Sequence, residues 1–485
     1  MDAKDELLLK AKNVFVKRSG KWIIDDISFT LQKGDHLAIA GESGSGKTTL
    51  ALALAGKLFF KGEIHYEPVA QDRILFIEQQ HHFKSLSNTT DLYYQQRFNS
   101  YDSEETQTVY DSLEGNDENI ATVLQRMKID HLKDKPLIQL SNGENKKLQI
   151  AKALLLQPSV LIMDQPFTGL DAATRKFLHE LINDLAERGV AIIVITSGEE
   201  IPAYITKVLL LKNGKLQSFG SRVVFWENYL EQRSPVSLVI RNKEKLEKKL
   251  LDNAEDFEYA IRMKEVNVQY NKIQILQHIN WDVKKGERWL LSGPNGAGKS
   301  TLLSLVTGDN PQAYANEVYL FDKKRGSGES IWDIKRKIGF LSPELHLFFE
   351  QDCTCFEAIA SGLYDTIGLF RQLSQADMQT VYDWAEIGGV EELLQKRLFE
   401  LSLGQQRIIL LIRALVKNPP LLILDEPCQG IDSDRQSQLL DLINTVCLQG
   451  NKTMVFVTHY AHERPACIDH FLQIEDGIVV KSTKS

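Results

Sequence analysis

The stretch VLIMDQPFTGLD, residues 160–171, decides the fold. Four apolar residues run into Asp164, the pattern of a buried strand that ends on a carboxylate. Gln165 follows. An almost identical run, LLILDEPCQGID at 421–432, carries Glu426 in the place of Gln165. Two further pairs recur in the same order: GESGSGKTT at 41–49 with GPNGAGKST at 293–301, and LSNGE at 140–144 with LSLGQ at 401–405. The lysines are separated by 299 − 47 = 252 positions, the serines by 402 − 141 = 261 and the aspartates by 425 − 164 = 261. Three motifs at a nearly constant offset define a tandem duplication.

The 485 residues exceed what one core supports, in keeping with two domains. Apolar runs such as HLAIAG, VLIMD and AIIVIT have the length of buried parallel strands, and amphipathic stretches such as SNGENKKLQIAKALLLQP separate them. The fold expected is α/β, in two tandem domains. The first copy is placed at 1–228, a linker at 229–258 and the second copy at 259–485. Within the linker, Glu244 and Lys248 are spaced for one helix face.

No segment approaches the roughly 18 consecutive apolar residues of a membrane span, and MDAKDELLLKAK is not a signal peptide. A cytoplasmic location is expected. A net charge of −8 argues against a nucleic-acid partner held by an overall basic field. The five scattered cysteines lack the paired spacing of a zinc ribbon and read as reduced, packed thiols, so no metal cluster is expected.

GxxxxGK[ST] between a strand and a helix is a specific phosphate-binding signal. Gly41, Ser43, Gly44, Gly46, Lys47, Thr48 and Thr49 form the first copy, and Gly293, Asn295, Gly296, Gly298, Lys299, Ser300 and Thr301 the second. Glycines let backbone N–H groups curl around phosphate oxygens, and the helix N-terminus adds its positive end. Lys47 and Lys299 are expected on the β- and γ-phosphates of ATP, with Thr48 and Ser300 offering hydroxyls to Mg²⁺. The strand-ending Asp164 and Asp425 are the further metal positions, and the next residue is where a carboxylate would polarise the attacking water.

LSNGE and LSLGQ, each upstream of its Walker B strand, resemble the signature of ABC-type ATPases, and the resemblance covers essentially the whole chain. It implies an α/β fold of two tandem P-loop NTPase cassettes, each a RecA-like core with a helical subdomain, packed head to tail and pairing within one chain, with each ATP between one P-loop and the other cassette's signature. The first site then combines its P-loop and Asp164 with Ser402, Gly404 and Gln405. Gln79, with Gln80 as neighbour, fits its Q-loop, where it would reach both nucleotide and metal. That site carries Gln165 instead of the acid and Ser197 instead of the switch histidine. An amide cannot accept a proton, and a serine does not replace imidazole.

The second site combines its own P-loop, Asp425, Glu426 and His459 with Ser141, Gly143 and Glu144 of the first copy. Its Q-loop position falls on Pro343, leaving Glu344 or a water to stand in for the amide. Tyr270 fits the adenine-stacking position, and Arg18 is its counterpart, able to stack through its guanidinium plane.

The second half, through GPNGAGKSTLLSLVTGDNPQAYANEVYLF and LSLGQQRIILLIRALVKNPPLLILDEP, resembles tandem ATPases of the ModF-type molybdenum-transport family. The first half does so less tightly, and its Gln165 departs from the glutamate usual there. The resemblance implies an energising subunit for a separately encoded membrane permease, peripheral to the inner face of the cell membrane; Gln165 and Ser197 against Glu426 and His459 add the expectation of a degenerate first site and a hydrolytic second one. A translation factor of the ABC-F type and a non-transport regulatory or repair ATPase are the competing classes. The connector of about 30 residues and the acidic pI of 5.9 argue against the first of these.

Overall fold

The repeats fold as two units, Met1–Ser234 and Pro235–Ser485, in a computed structural model. It describes the chain apart from residues 1–5, 19, 43, 68–72, 79–106, 138–139, 141, 197–200, 232–242, 252–255, 271–272, 350–351, 432 and 485.

The first unit opens with β1 (Leu7–Arg18) and β2 (Lys21–Gln32), then β3 (Leu37–Gly41), β4 (Lys61–Tyr66) and β5 (Ile74–Ile77). After a helical excursion come β6 (Val160–Asp164), β7 (Ala191–Ile195), β8 (Lys207–Lys212) and β9 (Lys215–Ser221). Among the described residues they form an antiparallel sheet β2-β1-β4 and a six-stranded sheet β5-β6-β7-β3-β8-β9.

The second unit repeats the plan. Its strands are β10 (Tyr259–Tyr270), β11 (Ile273–Lys284), β12 (Arg288–Ser292), β13 (Glu317–Leu320), β14 (Lys323–Lys324) and β15 (Ile338–Leu341). They continue with β16 (Leu421–Asp425), β17 (Thr453–Val457), β18 (His470–Glu475) and β19 (Ile478–Lys484). The sheets are β11-β10-β13-β14 and β15-β16-β17-β12-β18-β19.

β6, β7 and β17 are buried at every position, as expected of parallel strands covered on both faces. On one face the sheet packs under the antiparallel strands, through Ile24, Ile39, Leu50 and Ile193 in the first unit. On the other it packs under helices, through Leu148, Leu161, Met163 and Leu178. The second unit divides its core the same way. The excursion between β5 and β6 carries the helices Asp117–Arg126 and Asn142–Leu155. Between β15 and β16 lie Pro343–Phe348, Cys355–Ser361, Gln375–Ile387 and Leu403–Leu415. Strand order thus places both carboxyl-ended strands, β6 and β16, one strand away from the start of a helical excursion.

Glu244 and Lys248 do lie on one helix, Lys243–Leu251. Leu246 and Leu250 join the second unit's core beside Trp384 and Val446, and Lys245 and Lys249 pair with Asp383 at 2.9 and 3.1 Å. All five cysteines are buried thiols outside any disulfide. Among the described residues no helix is long and apolar enough to cross a membrane.

Candidate nucleotide sites

Each P-loop follows the central strand of its sheet and closes into a helix, Lys47–Leu54 or Lys299–Thr307. The two loops have the same backbone. Gly41 and Gly293 lie at φ 142° and 149°, and a Cβ there would sit 2.3 Å from Leu211 O or 2.1 Å from Ile474 O. Gly44 and Gly296 follow at φ 79° and 83°. Gly46 and Gly298 cap the helices in left-handed conformation, so no side chain occupies the first-turn N–H groups. Such a helix end is an anion site.

Lys47 Nζ donates to Gly41 O and Glu42 O at 2.6 and 2.8 Å, and Lys299 Nζ to Gly293 O and Pro294 O, both at 2.9 Å. Both ammonium groups therefore cross the mouth of their own loop. Thr49 is buried, Thr301 and Asn295 are half-buried, and Thr48 and Ser300 are exposed. A turn from the last hairpin of the sheet buttresses each loop. Gly214 N donates to Ser45 O at 3.1 Å, and Gly477 N to Ala297 O at 3.2 Å. Asn213–Gly214 and Asp476–Gly477 all have positive φ, as a type I′ turn requires.

At the first Walker B end, Thr48 Oγ1 donates to Asp164 Oδ2 at 2.7 Å. Asp164 is buried, and its Oδ1 has no hydrogen-bond partner. Burial pushes its carboxyl up, against the opposing pull of Thr48, Lys146 and Lys47. A buried carboxylate oxygen left over beside a threonine hydroxyl fits a hard divalent cation.

Gln165 and Glu426 take the same strained backbone, φ 42° and 44°. Each continues the ladder of its sheet, donating N–H to Ile195 O or Val457 O at 3.0 Å. Thr168 Oγ1 reaches Gln165 Oε1 at 3.4 Å, and its repeat counterpart Gln429 Nε2 donates to Glu426 Oε2 at 2.9 Å. His459 Nε2 lies 3.1 Å from Glu426 Oε1, in ion-pair range though not aligned as a hydrogen bond. The structure thus brings together Glu426 and His459, the residues expected as base and switch. Ser197, Ser141, Ser43 and Gln79 lie outside the described residues.

Ser402 caps Leu403–Leu415 in a capping box with Gln405, by bonds of 3.4 and 3.1 Å. Gly404 packs under Arg435, whose Cγ would lie 2.9 Å from an added Cβ. In the first unit Gly143 is buried and Glu144 is held by Lys135 at 3.1 Å. Pro343, where a Q-loop amide was sought, instead starts the short helix Pro343–Phe348, capped by Ser342, whose Oγ accepts from Leu345 N at 3.1 Å. His346 from this helix is buried and bonds Gln406 Oε1 at 2.5 Å. Tyr270 ends β10 half-buried, with Asn310 Nδ2 donating to its hydroxyl at 2.8 Å; Arg18 ends β1 exposed.

Sequence reading missed two buried cations. Lys146 Nζ donates to Glu78 O at 2.8 Å, and Arg407 Nη1 to Ser342 O at 3.3 Å. The 261-position offset, 407 − 146 = 261, was the available signal.

Two P-loops, each at the carboxyl ends of a parallel sheet in which another strand ends on an aspartate, mark ATP-hydrolysing cassettes, and this chain belongs to the ABC transporter family, whose model matches residues 24–168 and 276–429. The protein is a tandem ABC ATPase. It is 36% identical to the ABC transporter ATP-binding protein ModF of Escherichia coli, over 92% of this chain and 93% of that one. It is 31% identical to an uncharacterized ABC transporter ATP-binding protein of Schizosaccharomyces pombe, over 94% and 96% of the two chains. A chain from a model of ribosome-bound archaeal Pelota and ABCE1 matches with TM-score 0.62 over 97% of this chain and 78% of that one; at 18% identity this shows a shared fold alone.

Proposed function

We propose that this ATPase is the energising subunit of a separately encoded membrane permease, in which the first site holds ATP and the second hydrolyses it. The domains are those assigned above, 1–228 and 259–485. One observation carries the division of labour. Glu426, gripped by Gln429 and 3.1 Å from His459, can take a proton from water, whereas Gln165 on the same backbone cannot.

Mg²⁺ would be held by Thr48, Asp164 and Gln79 in the first site and by Ser300 and Asp425 in the second. When bound, it would neutralise charge developing on the phosphates. Lys47 and Lys299 would leave their carbonyl partners for the β- and γ-phosphates, and the uncapped helix ends would hold the anion. Glu426 would orient and deprotonate the attacking water, and His459 would position it against the γ-phosphate. Tyr270 and Arg18 would stack the adenines. The transport role and a molybdate-type cargo rest on the family likeness, including ModF.

Steady-state ATPase assays of wild type, Glu426→Ala and Gln165→Glu test the reading. Glu426→Ala should lose about 10²–10⁴-fold in rate, while Gln165→Glu should change little. Retention of most activity by Glu426→Ala would remove the second site as the engine. Co-purification with a permease supports transport; ATP-dependent co-sedimentation with ribosomes would replace that role with a translational one.

A further inference from the structure

Arg407 is 2% exposed, one turn into the helix that Ser402 begins. Its bond to Ser342 O spans 65 residues, and its Nε has no partner. Ser342 follows Leu341, which pairs with Leu424 in the parallel ladder between β15 and β16. The carbonyl that Arg407 holds therefore sits beside Asp425, about one strand spacing (~4.8 Å) across the sheet edge. Glu426 is the next residue.

The first unit builds the same link with a different side chain. Lys146 is 6% exposed and bonds Glu78 O, and Glu78 follows Ile77, which pairs with Met163 ahead of Asp164. Burying a cation costs several kcal/mol unless something offsets it. A packing role alone could be filled by an apolar side chain of the same length. The groups facing the guanidinium are acidic for the most part: Glu426 and Asp425 from the end of β16, Glu344 from the short helix, and Cys428 beyond. Against them, His346 packs beside the same helix, neutralised by burial and by Arg407 itself. Burial pushes Arg407 down to about 10, with those carboxylates pulling the other way.

The link also joins two segments that Pro343 leaves without a Q-loop amide: the end of β15 and the helical excursion. We propose that Arg407 is a positioning residue, fastening the β15 end and the Asp425–Glu426 turn to the signature helix so that displacement of that helix is felt at the hydrolytic carboxylate. This inference rests on the reading of Glu426 as the hydrolytic carboxylate. Movement of the signature helix would then reach that carboxylate through one buried cation.

The test compares Arg407→Met and Arg407→Lys in steady-state ATPase, with thermal melts, binding of a fluorescent ATP analogue, and Glu426→Ala as control. Arg407→Met should lower kcat about 10- to 100-fold, the loss that follows misplacement of a catalytic group, with KM for ATP little changed. Arg407→Lys should recover most of kcat, because the link is a single N–H···O bond that Lys146 already makes in the first unit.

Equal losses in the two variants, or a raised KM with kcat intact, would overturn the proposal. If Arg407→Met fails to fold, Arg407→Lys is compared with Arg407→Gln; equal kcat in these two would overturn it as well. An active Glu426→Ala would sink the hydrolytic reading whatever Arg407 does, whereas an inactive Glu426→Ala beside a fully active Arg407→Met would sink only this inference.

Discussion

Gln165 and Glu426 differ by an amide in place of a carboxylate oxygen, yet their backbones nearly superimpose in conformation, at φ 42° and 44° with matching ladder bonds. The strained turn is therefore set by the sheet, since it persists where an amide replaces the carboxylate. The loops ahead of them agree as closely, glycine for glycine. Geometry for holding a nucleotide is duplicated; the proton acceptor is not. Shape and reactivity in this fold separate cleanly, and the separation costs one functional group.

The widest gap between the halves should come from Glu426→Ala, with its loss of about 10²–10⁴-fold. A comparable loss from disabling the first site's Walker B end would abolish the distinction. Next, Lys47→Ala should release ATP that wild type retains after a chase with unlabelled nucleotide, measured by filter retention of labelled ATP. Lys299→Ala should instead remove turnover. The reverse assignment would exchange the roles of the two sites.

A subtler difference lies in the second unit's short helix. Burial of His346 and the nearby Arg407 push its imidazole down to about 4 from 6.5. The folded state thus favours the neutral ring. The resulting stability is present above pH 6.5 and is lost as pH falls toward 4. At pH 5 the loss is about 2 kcal/mol. Urea unfolding of wild type and His346→Gln at pH 7 and pH 5 should show a larger acid destabilisation in wild type. An identical pH response would break the assignment.

Restoring chemistry to the first site should have the smallest effect. Gln165→Glu with Ser197→His should raise steady-state kcat by no more than about twofold, since a second engine adds at most an equal one. A larger rise would mean that the first site limits the second.

The duplicated motifs in sequence were enough to place both P-loops, both strand-end aspartates and the contrast at 165 and 426, because each depends on local residue type and spacing. The Q-loop of the second unit was only half legible: Pro343 announced the missing amide, but not that Ser342 would cap a helix there. The cations at Lys146 and Arg407 were hidden for a different reason. Basic residues on an amphipathic helix read as solvated, and only the fold reveals that these two turn inward toward a carbonyl 68 and 65 residues away. Gln79, Ser141 and Ser197 fall outside the described residues, so their roles stay with the proposal.

The hairpin turns behind the P-loops impose an order of assembly. Gly214 supports a loop that begins at Gly41, and Gly477 one that begins at Gly293. During synthesis neither phosphate cradle can take its final shape until 214 − 49 = 165 or 477 − 301 = 176 further residues have followed it from the ribosome. The first cradle gains its support well before the second unit's own P-loop is made. The first cradle is therefore supported while the second half is still unwritten, and a chain stopped short of residue 476 would carry one supported cradle and one left open.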